Sequence, residues 1–107
     1  MPAVAPLTWN NRLATAAFKH SKDMRDNNYF DHTSKDGRSF SQRITAEGYS
    51  WLSAGENIAA GYTSEAEVVQ GWYDSPGHCE NMMSGKFTEM GVGRSGDYWT
   101  QDFGKPQ

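Results

Sequence analysis

A chain of 107 residues, 36% of them apolar, is one domain's worth, enough for a single core that buries roughly two-thirds of the unfolded surface. Its net charge is −3, with ten Lys and Arg scattered among thirteen Asp and Glu, which excludes the basic stripe that a nucleic-acid partner requires. No apolar run is long enough to cross a bilayer, and the opening MPAVAPLTW lacks the charged segment and long apolar stretch of a signal peptide.

Residues 9–28 read as a helix, with Leu13, Ala17, His20 and Met24 at helical spacing and Ala16 and Phe18 widening the apolar face. Asn27 and Asn28 are its expected terminators. A polar loop follows, YFDHTSKDGRSF, with Asp36-Gly37 as a tight turn. Phe40 and Ile44 then mark a short second helix, closed by Gly48 in a left-handed cap. Residues 49–60 show no helical stripe and read as an irregular strand ending at Gly61.

Ser64 and Glu67 have the spacing of a capping box, and Val68, Val69, Trp72 and Tyr73 supply the apolar face of a third helix stopped by Pro76 and Gly77. A helical turn, HCENMM, comes next. FTEMGVGR and DYWTQDFG, joined by Ser95-Gly96-Asp97, form a closing hairpin. The order fits an α+β sandwich better than a parallel βαβ array. Four Trp, five Tyr and five Phe supply much of the core, at about 150–250 Å² per buried ring.

The chain carries three histidines. His20 lies on the apolar stripe of the first helix and reads as a packed core residue. His32 and His78 sit in loops or at element ends, where functional side chains concentrate. Their spacing matches no zinc-finger or HExxH pattern, so spacing alone predicts no metal. Glu56 lies in the apolar stretch AGENIAAG. A carboxylate there needs a partner, because burying it unpaired is costly, and it reads equally as a structural acid or as a general base or ligand. Cys79 reads as a small buried hydrophobe.

The segments PLTWNNRLATAA, YFDHTS, GENIAAG, GWYDSPGHCENMM, FTEMGVG and YWTQDFG, in this order, resemble the bacterial branch of the CAP superfamily of SCP-like proteins. That superfamily includes cysteine-rich secretory proteins, antigen 5-type venom allergens and plant pathogenesis-related proteins. The resemblance runs from Pro6 to Pro106 and implies one secreted CAP domain over 1–107. It implies an α–β–α sandwich with a small, mostly antiparallel sheet between helical layers.

It also implies a His/Glu/Glu/His cleft, with His32 and His78 as the imidazoles and Glu56 as the first carboxylate. The second carboxylate departs from the pattern, since Ser75 stands at its usual place. Asp74, Glu89 and, less favoured, Glu67 are the stand-ins, with Glu89 the first to test. The helix that usually precedes the PLTW block is expected to be lacking, as is the upstream cysteine that relatives with GHC pair with their counterpart of Cys79.

Two imidazoles suit zinc or another divalent cation at about 2.0–2.1 Å, with water completing a labile shell. Glu56 would orient or deprotonate that water. Binding should be weak and should fall below about pH 6.5 as the imidazoles protonate. Three functions follow, in order of preference. The first is a binding module for a lipid or other small apolar ligand. The second is a metal-assisted, peptidase-like hydrolase using Glu56 as base, and the third a structural His/Glu network. No nucleophile motif supports covalent catalysis, because Ser75 precedes a proline turn and lacks a third partner.

Overall fold

In the computed structural model, which describes residues 7–107, local side-chain chemistry sets the bounds of each element. The order is β1 (Thr8–Trp9), α1 (Asn11–Asn27), α2 (Phe40–Ala46), β2 (Trp51–Ala60), α3 (Glu65–Asp74), α4 (Pro76–Met83), β3 (Glu89–Ser95) and β4 (Tyr98–Pro106). One sheet runs β1-β3-β4-β2. β1 pairs parallel with β3, while β3–β4 and β2–β4 are antiparallel.

α1 begins later than the apolar spacing implies. The Asn10 side chain accepts hydrogen bonds from the amides of Arg12 and Leu13, satisfying two donors that the first turn leaves open. Trp9, expected in the helix, is extended instead and pairs with Met90. Asn28 ends the helix in the left-handed conformation with φ 55°, which Asn tolerates better than most residues. Leu13, Ala16, Ala17, His20, Ser21 and Met24 are buried, whereas Phe18, expected on the apolar face, is exposed. α1 lies directly on the β3 backbone. A Cβ on Gly91 would collide with the backbone of Ala14, and one on Gly93 with that of Phe18.

The complete capping box sits on α2. Ser39 Oγ accepts from the Gln42 amide, and Gln42 Oε1 accepts from the Ser39 amide at 2.9 Å. At the expected box on α3, Ser64 Oγ accepts from the Glu67 amide at 3.2 Å, but the Glu67 carboxylate takes the Ser64 hydroxyl at 3.0 Å. Of the four apolar residues expected to face inward from α3, Val68 and Trp72 are buried while Val69 and Tyr73 are exposed. Val69 and Tyr73 form a neighbouring stripe about 100° round the helix, and only the first stripe meets Ala59 and Trp99. Pro76 separates two helices by opening α4 at its first turn, where a missing N–H costs nothing.

The expected three-layer arrangement is present. On one face of the sheet, Leu13 and Ala16 of α1 and Ile44 of α2 cluster with Tyr49. On the other, Val68 and Trp72 of α3 pack against Ala59 and Trp99, and Phe87 stacks on Phe103 at 5.3 Å. β2 is an edge strand. Two of its carbonyls are taken by side chains: Trp72 Nε1 donates to Ile58 O at 3.1 Å and Asn81 Nδ2 to Glu56 O at 3.2 Å.

Candidate functional site

Glu56 stands on β2 directly opposite Asp102 of β4, so both side chains leave the sheet on the same face. Arg43 comes down from α2 onto that face. Its guanidinium forks the Glu56 carboxylate, Nη1 donating to Oε1 and Nη2 to Oε2, each at 2.9 Å. This two-point geometry is the strongest form of the ion pair. Arg43 Nη2 also donates to the His32 carbonyl at 2.7 Å, tying the α1–α2 loop to the same anchor. The side chain of Arg43 is 5% exposed and that of Glu56 is 0%.

His32 completes the group. Its Nδ1 lies 2.9 Å from Glu56 Oε2, and because a carboxylate only accepts, Nδ1 carries the proton. In the neutral form of the ring the other nitrogen, Nε2, is the one left with a lone pair. The His32 side chain is 50% exposed, so one edge of the ring is held by the buried acid while the ring itself reaches solvent. Burial opposes ionisation of Glu56, but hydrogen bonds from His32 and Arg43, together with the Arg43 charge, hold its proton affinity below the usual carboxylate value.

Asp102 behaves oppositely. Complete burial, and then the neighbouring Glu56 charge, raise its proton affinity well above the ordinary value. Neither of its oxygens meets a donor among the described residues.

His78 lies on α4 with Nδ1 2.9 Å from Ser75 Oγ. Burial and then the charge of His32 lower its proton affinity, so the two imidazoles sense each other. They nevertheless open onto different hollows. His32 lines a groove of about 680 Å³ with Phe40, Trp51, Ala54 and Phe87, and Glu56 borders it with its side chain unexposed. His78 lines a hollow of about 280 Å³ with Phe30, Ile58, Tyr62 and Trp72.

Glu89, the first stand-in for the second carboxylate, accepts from the Tyr49 hydroxyl at 2.7 Å and lines a third hollow beside Trp9 and Asn10. Asp74 accepts from Gln70 at 2.9 Å, and Glu67 is occupied by Ser64. Among the described residues, no group of three or more His, Cys, Asp and Glu is arranged to hold a metal ion.

His20 is packed as its position implies. It is 1% exposed, with Nε2–H donating to the Asp31 carbonyl at 2.8 Å. Burial, and then the Arg43 charge, depress its proton affinity. Sequence reasoning missed Arg43 and Asp102. The signal for Asp102 was the one that singled out Glu56: an acid among Gln101, Phe103 and Gly104 in a β-prone run. For Arg43, a cation beside the buried Ile44, no comparable signal exists.

The profile of the CAP family, the cysteine-rich secretory protein family, matches residues 3–103. The chain belongs to the CAP family. The domain is 43% identical over 100 residues to the uncharacterized protein YkwD of Bacillus subtilis (strain 168), covering 92% of this chain and 39% of that protein. It is 40% identical over 100 residues to the uncharacterized membrane protein YlbC of the same strain, covering 94% of this chain and 29% of that protein.

Among solved structures, an extracellular protein containing an SCP domain from Bacillus anthracis str. Ames superimposes with a TM-score of 0.92 at 38% identity. That match covers 95% of this chain and 34% of the other. The CAP domain thus spans less than two-fifths of the length of these relatives. No described helix is long and apolar enough to cross a membrane.

Proposed function

We propose that this CAP domain is an extracellular binding module that presents the His32 ring to its ligand, with Glu56 positioning that ring rather than acting as a general base. One observation carries the reading: the Glu56 side chain is fully buried, with Arg43 on both oxygens and His32 on Oε2. A general base must reach the proton it removes and works best with a pKa near the operating pH. Glu56 is enclosed, and its proton affinity is pushed down. What faces the groove is the half-exposed imidazole of His32.

Phe40, Trp51 and Phe87 wall the groove beside His32. These rings alternate with Ser53, Glu80, Asn81, Ser84 and Lys86 on the same lining, a mixed surface that suits a small ligand with an apolar part for the rings and a polar end to meet the imidazole. Similarity to an extracellular SCP-domain protein supports placing the module outside the cell. The donor chemistry also suits a weakly held divalent cation such as zinc. Nδ1 of His32 is engaged by Glu56, the outer hydrogen bonding that metal-binding imidazoles carry, and Nε2 of the neutral ring would be the ligand, while His78 opens onto a separate hollow. Bound there, the cation would supply positive charge toward an oxygen of the ligand.

Titrating zinc chloride into histidine-¹⁵N protein tests this. At about pH 7.5 the Nε2 resonance of His32 should shift and saturate. The affinity should fall on acidification, because protons compete with the metal for the imidazole nitrogen. A His32 ring that stays still would remove the cation from the reading. Peptide hydrolysis lost in a folded Glu56→Gln variant would overturn the binding role itself.

A further inference from the structure

Glu56 and Asp102 are directly opposed on paired strands, and both residues are buried, at 4% and 0% exposure. Two carboxylates so placed cannot both be ionised, because each charge destabilises the other where water is absent to screen it. The hydrogen-bond inventory decides which one keeps a proton. A carboxylate offers about four acceptor positions. Glu56 has three filled: one on Oε1 by Arg43, and two on Oε2 by Arg43 and His32. All three partners favour the anion. Asp102 has no donor on either oxygen, and an unpartnered buried anion is the costliest state it could adopt.

We infer that Asp102 is a neutral carboxylic acid that donates its proton to the remaining acceptor position on Glu56 Oε1, and that this one-proton pair is the floor on which His32 is positioned. Asp102 is then a second carboxyl beneath the groove, supplied by β4 and closed off from solvent. Its O–H, the Arg43 fork and the His32 Nδ1–H together fill the Glu56 carboxylate. The acid is thereby fixed as an anion that orients the ring, with Nε2 directed away from it.

The surroundings agree. The groups facing the pair are Arg43 from α2, His32 from the α1–α2 loop and His20 from α1, whose proton affinity responds to both Arg43 and Glu56. β3 contributes only Gly91 opposite Asp102. Asp102 acts through Glu56 and is a positioning residue. The inference rests on the opposition of the two acids across the strands, their burial, and the three donors on Glu56 against none on Asp102.

Carbonyl-¹³C NMR of Asp102 and Glu56 across an acid-to-alkaline titration of the wild-type domain tests it. The expected result is an Asp102 carboxyl still protonated at neutral pH beside an ionised Glu56. An Asp102 signal that titrates near the ordinary aspartate value of 3.8 would overturn it. In Asp102→Asn the amide N–H replaces the donor, so the Glu56 midpoint and the His32 Nδ1–H signature should persist. In Asp102→Leu the donor is lost, and the Glu56 midpoint should rise by about one unit or more. An unchanged Glu56 midpoint in a folded Asp102→Leu variant would count against the bond. Should that variant fail to fold, the wild-type titration decides alone.

Discussion

Arg43 does the most at the scale of single residues, because one guanidinium holds Glu56 at both oxygens and the loop carbonyl of His32. Arg43→Met should therefore destabilise the domain by about 3–5 kcal/mol, the cost of breaking a buried pair by removing one partner, measured by urea unfolding. Lys19→Met, which breaks a pair with Glu47 whose lysine is 62% exposed, should cost less than about 1 kcal/mol.

The same buried groups set the acid limit. His20 and His78 have depressed proton affinities in the fold, so the unfolded chain binds protons first as pH falls. Stability should hold above the unfolded value of 6.5 and decline below it, toward the lower folded values. Glu56, also depressed, adds loss below its unfolded value of 4.5. Asp102, raised, works the other way: its contribution is full below 3.8 and is lost as pH rises through its folded value. Melting temperature against pH should show the histidine decline first, and a curve flat from 6.5 down to 4.5 would contradict it.

At the scale of elements, the contact between α1 and β3 depends on missing side chains. Gly91→Ala should destabilise the domain by about 1–3 kcal/mol or more, because α1 must lift off the strand to admit a methyl group; thermal denaturation would read it. Much of this level was legible. The strand over 49–60, the hairpin around Gly96 and the breaks at Asn28 and Gly48 follow from local turn and cap chemistry, and the structure places them there.

What was not legible is rotational. Val69 and Tyr73 are as apolar as Val68 and Trp72, and only the position of the sheet decides which stripe is covered. The caps of α2 and α3, of which the sequence reading singled out only the second, differ in a related way. Ser39 with Gln42 and Ser64 with Glu67 share one spacing, but only Gln42 reaches back to an amide.

At the scale of the whole molecule, the site joins residues from four places in the chain. The α1–α2 loop gives His32, α2 gives Arg43, β2 gives Glu56 and β4 gives Asp102. The first and third stood out in the sequence because a loop histidine and an acid in an apolar strand each pose a local question. The fourth carried the same local signal as the third, but no spacing in the chain places position 102 opposite position 56, and the second became visible only where α2 brings its guanidinium onto Glu56.

The indole of Trp72 and the amide of Asn81, which occupy the outward carbonyls of Ile58 and Glu56, have a consequence for how such domains coexist at high concentration. An uncovered sheet margin is a template on which another chain can lay down a further strand. Here the margin at its most apolar stretch is already claimed from within. Trp72→Phe keeps the ring but gives up the N–H, so one carbonyl is released to outside chains. The variant should remain folded yet show faster growth of light scattering on mild heating than the parent protein. Equal rates would mean that the covering ring, rather than its polar bond, keeps the molecules apart.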